Sequence, residues 1–382
     1  MQIRPYQPAD RDQLARIWSA AFRGGKPLEP EVPELHDWSP LFVAEQDGGV
    51  IGCFRIHHIE HTLGNSTTQS GGIAAVGVSP EQRQAGTGKQ MMRWALRHLH
   101  DQGVPFASLF AFSEGYYRSF GYEPVGVRYQ IRCASEHLPI EKTNLSGKEI
   151  SPSDFHLLES CYDQFAKKYN GMIRRNDWWW GRATHANVSD RRVYAFGDPI
   201  QAYAIVKFTD DFWVVQPIEE AVWTSPEGYA SLLALFKSIG INRSHVSWTE
   251  PSDGPFLQSH FDNFSEVSLK RSIMFRVTNF NSAISCLSPK ESGSLTIQVH
   301  DDLIPENRGP FRIEFSPEAV SVEPSPTAEI TLSDRALAQV ILGQPSMRDL
   351  LRSGAVKASS DAAAIAAIRL FRYRPAYCLD FF

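Results

Sequence analysis

The sequence predicts an α/β architecture that occurs twice, followed by a smaller α+β domain. Three observations carry that expectation. Strand and helix patterns alternate over residues 1–134, and include "VGVSPEQRQAGTGKQMMRWALRHL", a short apolar strand, a glycine-rich turn and an amphipathic helix. A second stretch, "EEAVWTSPEGYASLLALFKSIG" at 219–240, repeats the same order of strand, Ser-Pro-Glu, helix and glycine. From 284 the texture changes to strict alternation: "SLTIQV" and "FRIEF" carry Leu295, Ile297 and Val299, then Phe311, Ile313 and Phe315, on single faces. At about 150 residues per domain, the 382 residues suffice for two or three such units.

Each element follows from local chemistry. Ile3 and Arg4 open a short strand. Asp10 stands at the N-cap of a helix over 11–22, with Leu14, Ile17 and Phe22 toward a core. "LFVAEQDGGVIGCFRIHHI" reads as two strands around Asp47, Gly48 and Gly49. "GGIAAVGV" is the next strand. The helix after the glycine turn buries Met91, Met92, Ala95, Leu96 and Leu99, and Gly103 stops it. "FASLFAF" and "VRYQIRC" complete the first domain, and the polar segment 135–150 reads as a linker. In 151–283, "RVYAFGDPIQAYAIVKF" repeats the first hairpin around Gly197, Asp198 and Pro199. This second copy has lost the arginine and the glycine loop, so it reads as a degenerate duplicate. In 284–382, Asn307, Arg308 and Gly309 turn the chain, and "AVSVE" and "AEITL" add strands. Ser333 caps a helix carrying Leu337, Val340 and Ile341, and Ser360 caps a last one carrying Ile365, Ile368 and Phe371.

Composition narrows the function. A net charge of −5 gives no support for nucleic-acid binding and mildly suits a cationic substrate. No run reaches the ~20 apolar residues of a membrane span, and the N-terminus has no apolar signal core, so the expectation is a cytoplasmic protein without a membrane partner. Cys53, Cys133, Cys161, Cys286 and Cys378 have no metal-ligand or CxxC spacing and read as free thiols. His57, His58 and His61 look like a metal cluster, but strand alternation puts only His57 and His61 on one face, and no cysteine is near, so no metal is expected. Trp178, Trp179 and Trp180 suit core packing or a subunit interface better than ligand stacking.

The residues with most chemistry are Arg83, Gln84, Ala85, Gly86, Thr87 and Gly88, an R-x-x-G-x-G loop. Glycines let backbone N–H groups converge on one point. The following helix adds the positive end of its dipole, and Arg83 adds a cation, so the loop suits phosphate. The spacing fits neither the dinucleotide G-x-G-x-x-G pattern nor the P-loop, where Gly88 and Lys89 would need Ser or Thr next instead of Gln90.

Together, "VGVSPEQRQAGTG" and "YYRSFGYEPVG" resemble the GNAT family of acetyl-CoA-dependent N-acetyltransferases. The resemblance implies that the backbone of Val76 and Val78 holds the pantetheine arm, and that the loop 83–88 holds the pyrophosphate. It also implies a tyrosine that protonates the departing CoA thiolate. Counting back from Phe120, Gly121 and Tyr122, that tyrosine is Tyr117, with Tyr122 and then Tyr116 as competitors.

The whole chain is further similar to the enhanced intracellular survival (Eis) acetyltransferases. The likeness lies in the order of a GNAT domain, a degenerate second one and a domain like sterol carrier protein type 2, with "YNGMIRRNDWWW" and the ending "CLDFF". It implies a homo-hexamer in which the terminal carboxylate, here that of Phe382, is the general base for an amine. A free α-carboxyl titrates near ~3.5, and burial beside Phe381 and Phe382 would raise it. The apolar ending suits a docked terminus better than a solvated one. Glu29, Glu31, Glu34 and Asp37 lie beside Trp38 in a segment expected to line the acceptor pocket, although each acid taken singly reads rather as part of a solvated surface loop; Phe381 and Asp380 are expected as further substrate contacts. Position 381 is Phe where some Eis relatives have an acid, so a less highly charged amine is expected. The expected activity is direct acetyl transfer from acetyl-CoA to an aminoglycoside-, polyamine- or lysine-like amine in a ternary complex. The alternative is an acyl-CoA or lipid sensor without turnover.

Overall fold

The computed structural model describes residues 1–26, 38–139, 142–184, 190–271 and 273–382. The chain divides into two compact units. Met1–Val125, Ile273–Tyr373 and Phe381–Phe382 form the first, and Gly126–Ser272 with Arg374–Asp380 form the second.

The first unit begins with β1 (Gln2–Pro5), α1 (Arg11–Phe22), β2 (Leu41–Gln46), β3 (Gly49–Leu63), β4 (Ser66–Val78), α2 (Thr87–Asp101), β5 (Phe106–Leu109), α3 (Glu114–Arg118) and β6 (Glu123–Pro124). β1 to β4 pair antiparallel in chain order, and β5 joins β4 in parallel. Alternation sorts the side chains between two helices. Leu41, Val43 and Cys53 pack with Leu14, Ile17 and Trp18 of α1. Phe42, Ala44 and Phe54 pack with Met91, Met92, Ala95, Leu96 and Leu99 of α2. Burying each large side chain contributes roughly 1.5–3 kcal/mol. Gly103 follows α2 at φ +69°, a left-handed turn that ends it.

Two expectations for α1 are corrected. Asp10 occupies the N-cap position, but its carboxylate does not cap the helix. It accepts two hydrogen bonds from Arg4, at 2.7 and 2.8 Å, and one from the Gln7 backbone, which outbid the helix start. Phe22 is 55% exposed rather than in the core, because α1 ends there and the chain turns away.

The second unit contains β7 (Val127–Cys133), β8 (Gly147–Ile150), α4 (Glu159–Ala166), α5 (Asp177–Thr184), β9 (Arg191–Phe196), β10 (Ala202–Lys207), β11 (Val215–Trp223), α6 (Pro226–Ile239), β12 (His245–Pro251), α7 (Pro255–Ser259) and β13 (Ser265–Arg271). Its sheet runs β13-β7-β12-β11-β10-β9-β8. The β9–β12 set repeats the pairing of β2–β5, including a parallel step from β11 to β12. Trp179 and Trp180 are buried in the core. The strand "VRYQIRC", expected to close the first domain, is β7 and sits inside this second sheet, antiparallel to both β12 and β13. There both edges of its backbone are paired, and Ile131 and Cys133 reach the core. The segment 135–150, expected as a plain linker, supplies β8, which pairs with β9.

The chain then returns. β14 (Met274–Val277) inserts antiparallel between β5 and β6 and completes the first sheet. After α8 (Phe280–Ser285) come β15 (Gly293–His300), β16 (Phe311–Phe315), β17 (Val320–Pro324), β18 (Ile330–Ser333), α9 (Asp334–Leu342), α10 (Met347–Ser353), β19 (Val356–Ala358) and α11 (Asp361–Leu370). The third sheet is ordered β17-β16-β15-β18-β19. Ser333 and Ser360 cap α9 and α11 by accepting from the Ala336 and Ala363 N–H groups. Phe371 is buried, but Ile365 is half exposed on the outer face of α11. This α+β region does not form a compact unit of its own. Arg276 of β14, fully buried, donates to Asp301 and Asp334 at 2.7 Å each, tying the first sheet to it. Among the described residues no helix is long and apolar enough to cross a membrane.

Candidate active site

The site begins where β4 and β5 separate. They pair only from Ser70–Phe106 to Gly72–Ser108, after which β4 runs on to Val78 without that neighbour. On its other side β4 carries a bulge: Arg55 faces Ala74 and Cys53 faces Gly77. The extra residue, Ala75, has φ +50°, a left-handed conformation costly for a side chain. A bulge bends its strand, and this one stands where β4 leaves β5.

Next to the end of β4 lies a cavity of about 790 Å³. Val76, Val78, Arg83, Gln84, Gly86, Thr87 and Gly88 line it, so seven of the eight residues expected to hold the cofactor meet there. Ala85, the eighth, is exposed on the same loop. Gln84 and Gly86 have φ +70° and +88°. Gly86 is the N-cap of α2, and without a side chain it leaves the first N–H groups of α2 available to an anion. The Arg83 guanidinium donates to the carbonyls of Val78 and Ala20 at 3.3 and 3.4 Å, which ties the loop to β4 and α1.

Apart from Tyr116, already weighed as a proton donor, the other walls were not legible in the sequence. Ala20, Ala21 and Phe22 come from the end of α1, and Phe112 and Tyr116 from the stretch around α3. A clue existed at Phe112: it follows "FASLFA" at the mouth of a strand, and it is 79% exposed although large and aromatic.

The three tyrosines differ in place. Tyr116 is on the cavity wall, and a Cβ on Gly88 would stand 3.0 Å from its hydroxyl. Tyr117 is buried, its ring edge-on to Phe112, Tyr116 and Tyr122. Burial pushes its hydroxyl up to about 12, with the neighbouring Tyr116 a smaller cause. Tyr122 is deeper still, and burial raises its hydroxyl further.

The chain's last two residues belong to this unit. The Phe382 ring stands 5.3 Å from Phe110 and 5.7 Å from His57, and Phe381 packs on Phe110 at 4.8 Å. Trp38 stacks on His57 at 5.4 Å, and Ser39 Oγ is 2.8 Å from His57 Nδ1. Gly72, the last residue of β4 paired with β5, needs its lack of a side chain: a Cβ would lie 2.8 Å from the Phe382 ring. Trp38, Phe381 and Phe382 are therefore brought together around His57, which the sequence offered only as a metal ligand, and Phe110, which it did not single out. His57 and His61 are buried and His58 exposed, as alternation predicted. Glu29, Glu31, Glu34 and Asp37 lie outside the described residues.

Asp380 needs correction as a substrate contact. Its carboxylate is buried in the second unit, accepting from Arg175 Nε at 2.9 Å and from the Tyr162 hydroxyl at 3.2 Å. The same guanidinium donates to Glu220 at 2.9 and 2.5 Å. A charge this deep must be paired inside the protein, and Arg175 supplies the partner.

Comparison with known proteins fits this architecture. Residues 2–125 match the model of an acetyltransferase (GNAT) domain, 171–277 that of another GNAT domain, and 277–379 that of a sterol carrier protein domain. An uncharacterized N-acetyltransferase of Streptomyces griseus is 23% identical, with both chains covered in full. Among solved structures, a GCN5-related N-acetyltransferase from Anabaena variabilis superposes with TM-score 0.85 at 20% identity, with both chains fully covered. A probable N-acyltransferase from Enterococcus faecalis gives 0.89 at 17%, over all of this chain and 99% of the other. Eis1 from Mycobacterium abscessus gives 0.81 at 21%, again over both full chains. At such identities the structures speak for the fold. The chain thus consists of two GNAT domains followed by a sterol-carrier-protein-like domain, and it is an N-acetyltransferase.

Proposed function

We propose that the protein is an Eis-like enzyme that transfers the acetyl group of acetyl-CoA directly to a primary amine in a ternary complex. The observation that carries this reading is the packing of Phe381 and Phe382 on Phe110 and His57, within the unit that holds the glycine-loop cavity. A chain end held by ring contacts can present its carboxylate at a fixed place, which proximity catalysis needs.

In this reading the loop 83–88 and the start of α2 take the pyrophosphate, and the backbone of Val76 and Val78 takes the pantetheine arm. The Phe382 carboxylate holds the acceptor ammonium and takes one of its protons, which frees the lone pair with which the amine nitrogen bonds to the acetyl carbon; the nitrogen sheds a second proton to water as the tetrahedral intermediate collapses. The carbon–sulfur bond then breaks, and Tyr117 donates its proton to the departing thiolate. Tyr116 suits that step less well, because its hydroxyl faces Gly88 at the phosphate end of the cavity. Trp38 and Phe381 form an aromatic rim suited to the alkyl part of an aminoglycoside, polyamine or lysine side chain. The same likeness implies a cytoplasmic homo-hexamer, which light scattering would measure.

A short tag after Phe382 tests the central point, because it moves the carboxylate. Thiol release from acetyl-CoA is followed with a panel of aminoglycosides, polyamines and lysine peptides. The untagged enzyme should turn over at least one amine, and the tagged one should lose about 100-fold or more in kcat, the usual scale of a general base. Undiminished turnover in the tagged enzyme rules out Phe382. No release with any amine favours an acyl-CoA sensor.

A further inference from the structure

The Phe382 ring rests in a gap on the first sheet. Gly72 of β4 faces His57 of β3 on one side and Ser108 of β5 on the other. Its missing side chain opens the gap: a Cβ there would stand 2.5 Å from Ile59 Cδ1 and 2.8 Å from the Phe382 ring. His57 meets that ring edge-on at 76°, and Phe110 does so at 78°. The ring thus has a floor at Gly72 and walls at His57 and Phe110, and all of these residues belong to the first unit. His57 is the polar wall. Its Nδ1 shares a hydrogen bond of 2.8 Å with Ser39 Oγ, and both side chains are buried. The backbone holds Ser39 in place beside β3: the Ile56 N–H donates to the Pro40 carbonyl at 3.0 Å, and the His58 N–H to the Trp38 carbonyl at 2.6 Å. Trp38 then stacks on the imidazole with 26° between the planes.

From this geometry we propose that His57 is a positioning residue: its bond to Ser39 fixes the imidazole, and the imidazole fixes the ring of Phe382. A hydrogen bond between two buried side chains demands one orientation of the ring, whereas an apolar residue could pack in several. Packing alone does not require a polar pair among Trp38, Ile59, Phe110 and Phe382, so the pair serves orientation. The last residue of a chain has no following peptide to tie it down. Its neighbour Phe381 is 62% exposed, so the deeper hold falls to the Phe382 ring. Two side-chain torsions separate that ring from the Cα that carries the carboxylate, and each has few wells, so a fixed ring leaves the carboxylate few positions. The service of His57 to catalysis rests on the reading of Phe382 as the base, but its hold on the ring does not.

Variants of the full-length protein separate this from a merely structural role. Ser39→Ala removes the hydroxyl and leaves the imidazole. His57→Phe keeps a ring and loses the bond. Ile313→Val loosens the core at β16, in another sheet of the same unit. Release of Phe382 by a carboxypeptidase that removes aromatic residues is timed by intact-protein mass spectrometry, beside acetyl-transfer kinetics. Ser39→Ala and His57→Phe should each lose Phe382 about tenfold faster than the wild type, the scale of one buried hydrogen bond. The double variant should lose it no faster than either, because the same bond is broken in all three. In Ser39→Ala kcat should fall about as much while the KM for acetyl-CoA stays within about twofold, and Ile313→Val should keep both readings near wild type. Unchanged release in Ser39→Ala, additive effects in the double variant, or equal acceleration in Ile313→Val overturns the proposal. If release accelerates in Ser39→Ala while the tagged enzyme keeps full activity, the hold on the ring stands and the role of Phe382 as base falls.

Discussion

Tyr116 and Tyr117 are neighbours with different chemistry. Helical spacing turns one toward the phosphate loop and the other into the aromatic packing behind it. If Tyr117 is the acid, Tyr117→Phe should lower kcat about 100-fold and leave acetyl-CoA affinity within about twofold, because only the proton is removed. Steady-state rates with the best amine read this, and an unchanged kcat would move the role to Tyr122 or to water. The pH dependence follows from burial. The hydroxyl ionises near 10 in the unfolded chain and is pushed up to about 12 in the fold, so the fold holds the proton more tightly. The stability this contributes is complete below about pH 10 and is lost as pH rises toward 12. Denaturation midpoints of the wild type should therefore fall relative to those of Tyr117→Phe across that window, and parallel curves would count against a buried, raised Tyr117.

At the scale of elements, the loop, α2 and the second half of β4, residues 71–78, were legible. Their signal is local: the glycines, the 3.6-residue stripe of α2 and the stop at Gly103 all sit within one stretch. The bulge at Ala75 was not legible, since nothing in "GGIAAVGV" says which residue takes φ +50°. Phe22 was misjudged because periodicity says that a face is apolar but not that the helix ends at a cavity. The loop also carries a steric demand that its sequence alone does not explain, at Gly88. A Cβ there would stand 3.0 Å from the Tyr116 hydroxyl, so one of them must move. Gly88→Ala should weaken acetyl-CoA binding about tenfold, or ~1.4 kcal/mol, by calorimetry. Tyr116→Phe in the same background removes the obstructing oxygen and should restore part of the loss. Equal Kd values for Gly88→Ala and the wild type would show that the cofactor does not use this side of the loop.

At the scale of the molecule, the two GNAT folds complete each other's strand inventory. β7 follows the first fold in sequence and enters the second sheet, while β14 follows the second fold and enters the first sheet. The sequence could not reveal this, because short alternating strands such as "VRYQIRC" and "MFRV" carry a face but no address. It did reveal the duplication and the decay of one copy, and the structure supplies the physical meaning of that decay. Gly86 leaves the first turn of α2 uncapped beside a cavity, whereas Ser225 accepts from the Gly228 N–H and so satisfies the start of α6. A Cβ on Gly228 would meet the Gln201 carbonyl at 2.7 Å, so this helix start is pressed against backbone where a phosphate would need room. No arginine stands between Pro226 and Gly228 to match Arg83, and Tyr377 of the chain end packs on Thr249 of β12. Each of these differences removes a separate requirement for binding a nucleotide anion, so restoring one would not restore the site. Isothermal titration with acetyl-CoA should therefore give one site per chain, and Arg83→Ala with Gly88→Ala should abolish that site without exposing another. A stoichiometry of two per chain, or residual binding of similar strength in the double variant, would mean that the second fold has kept a cofactor cleft after all.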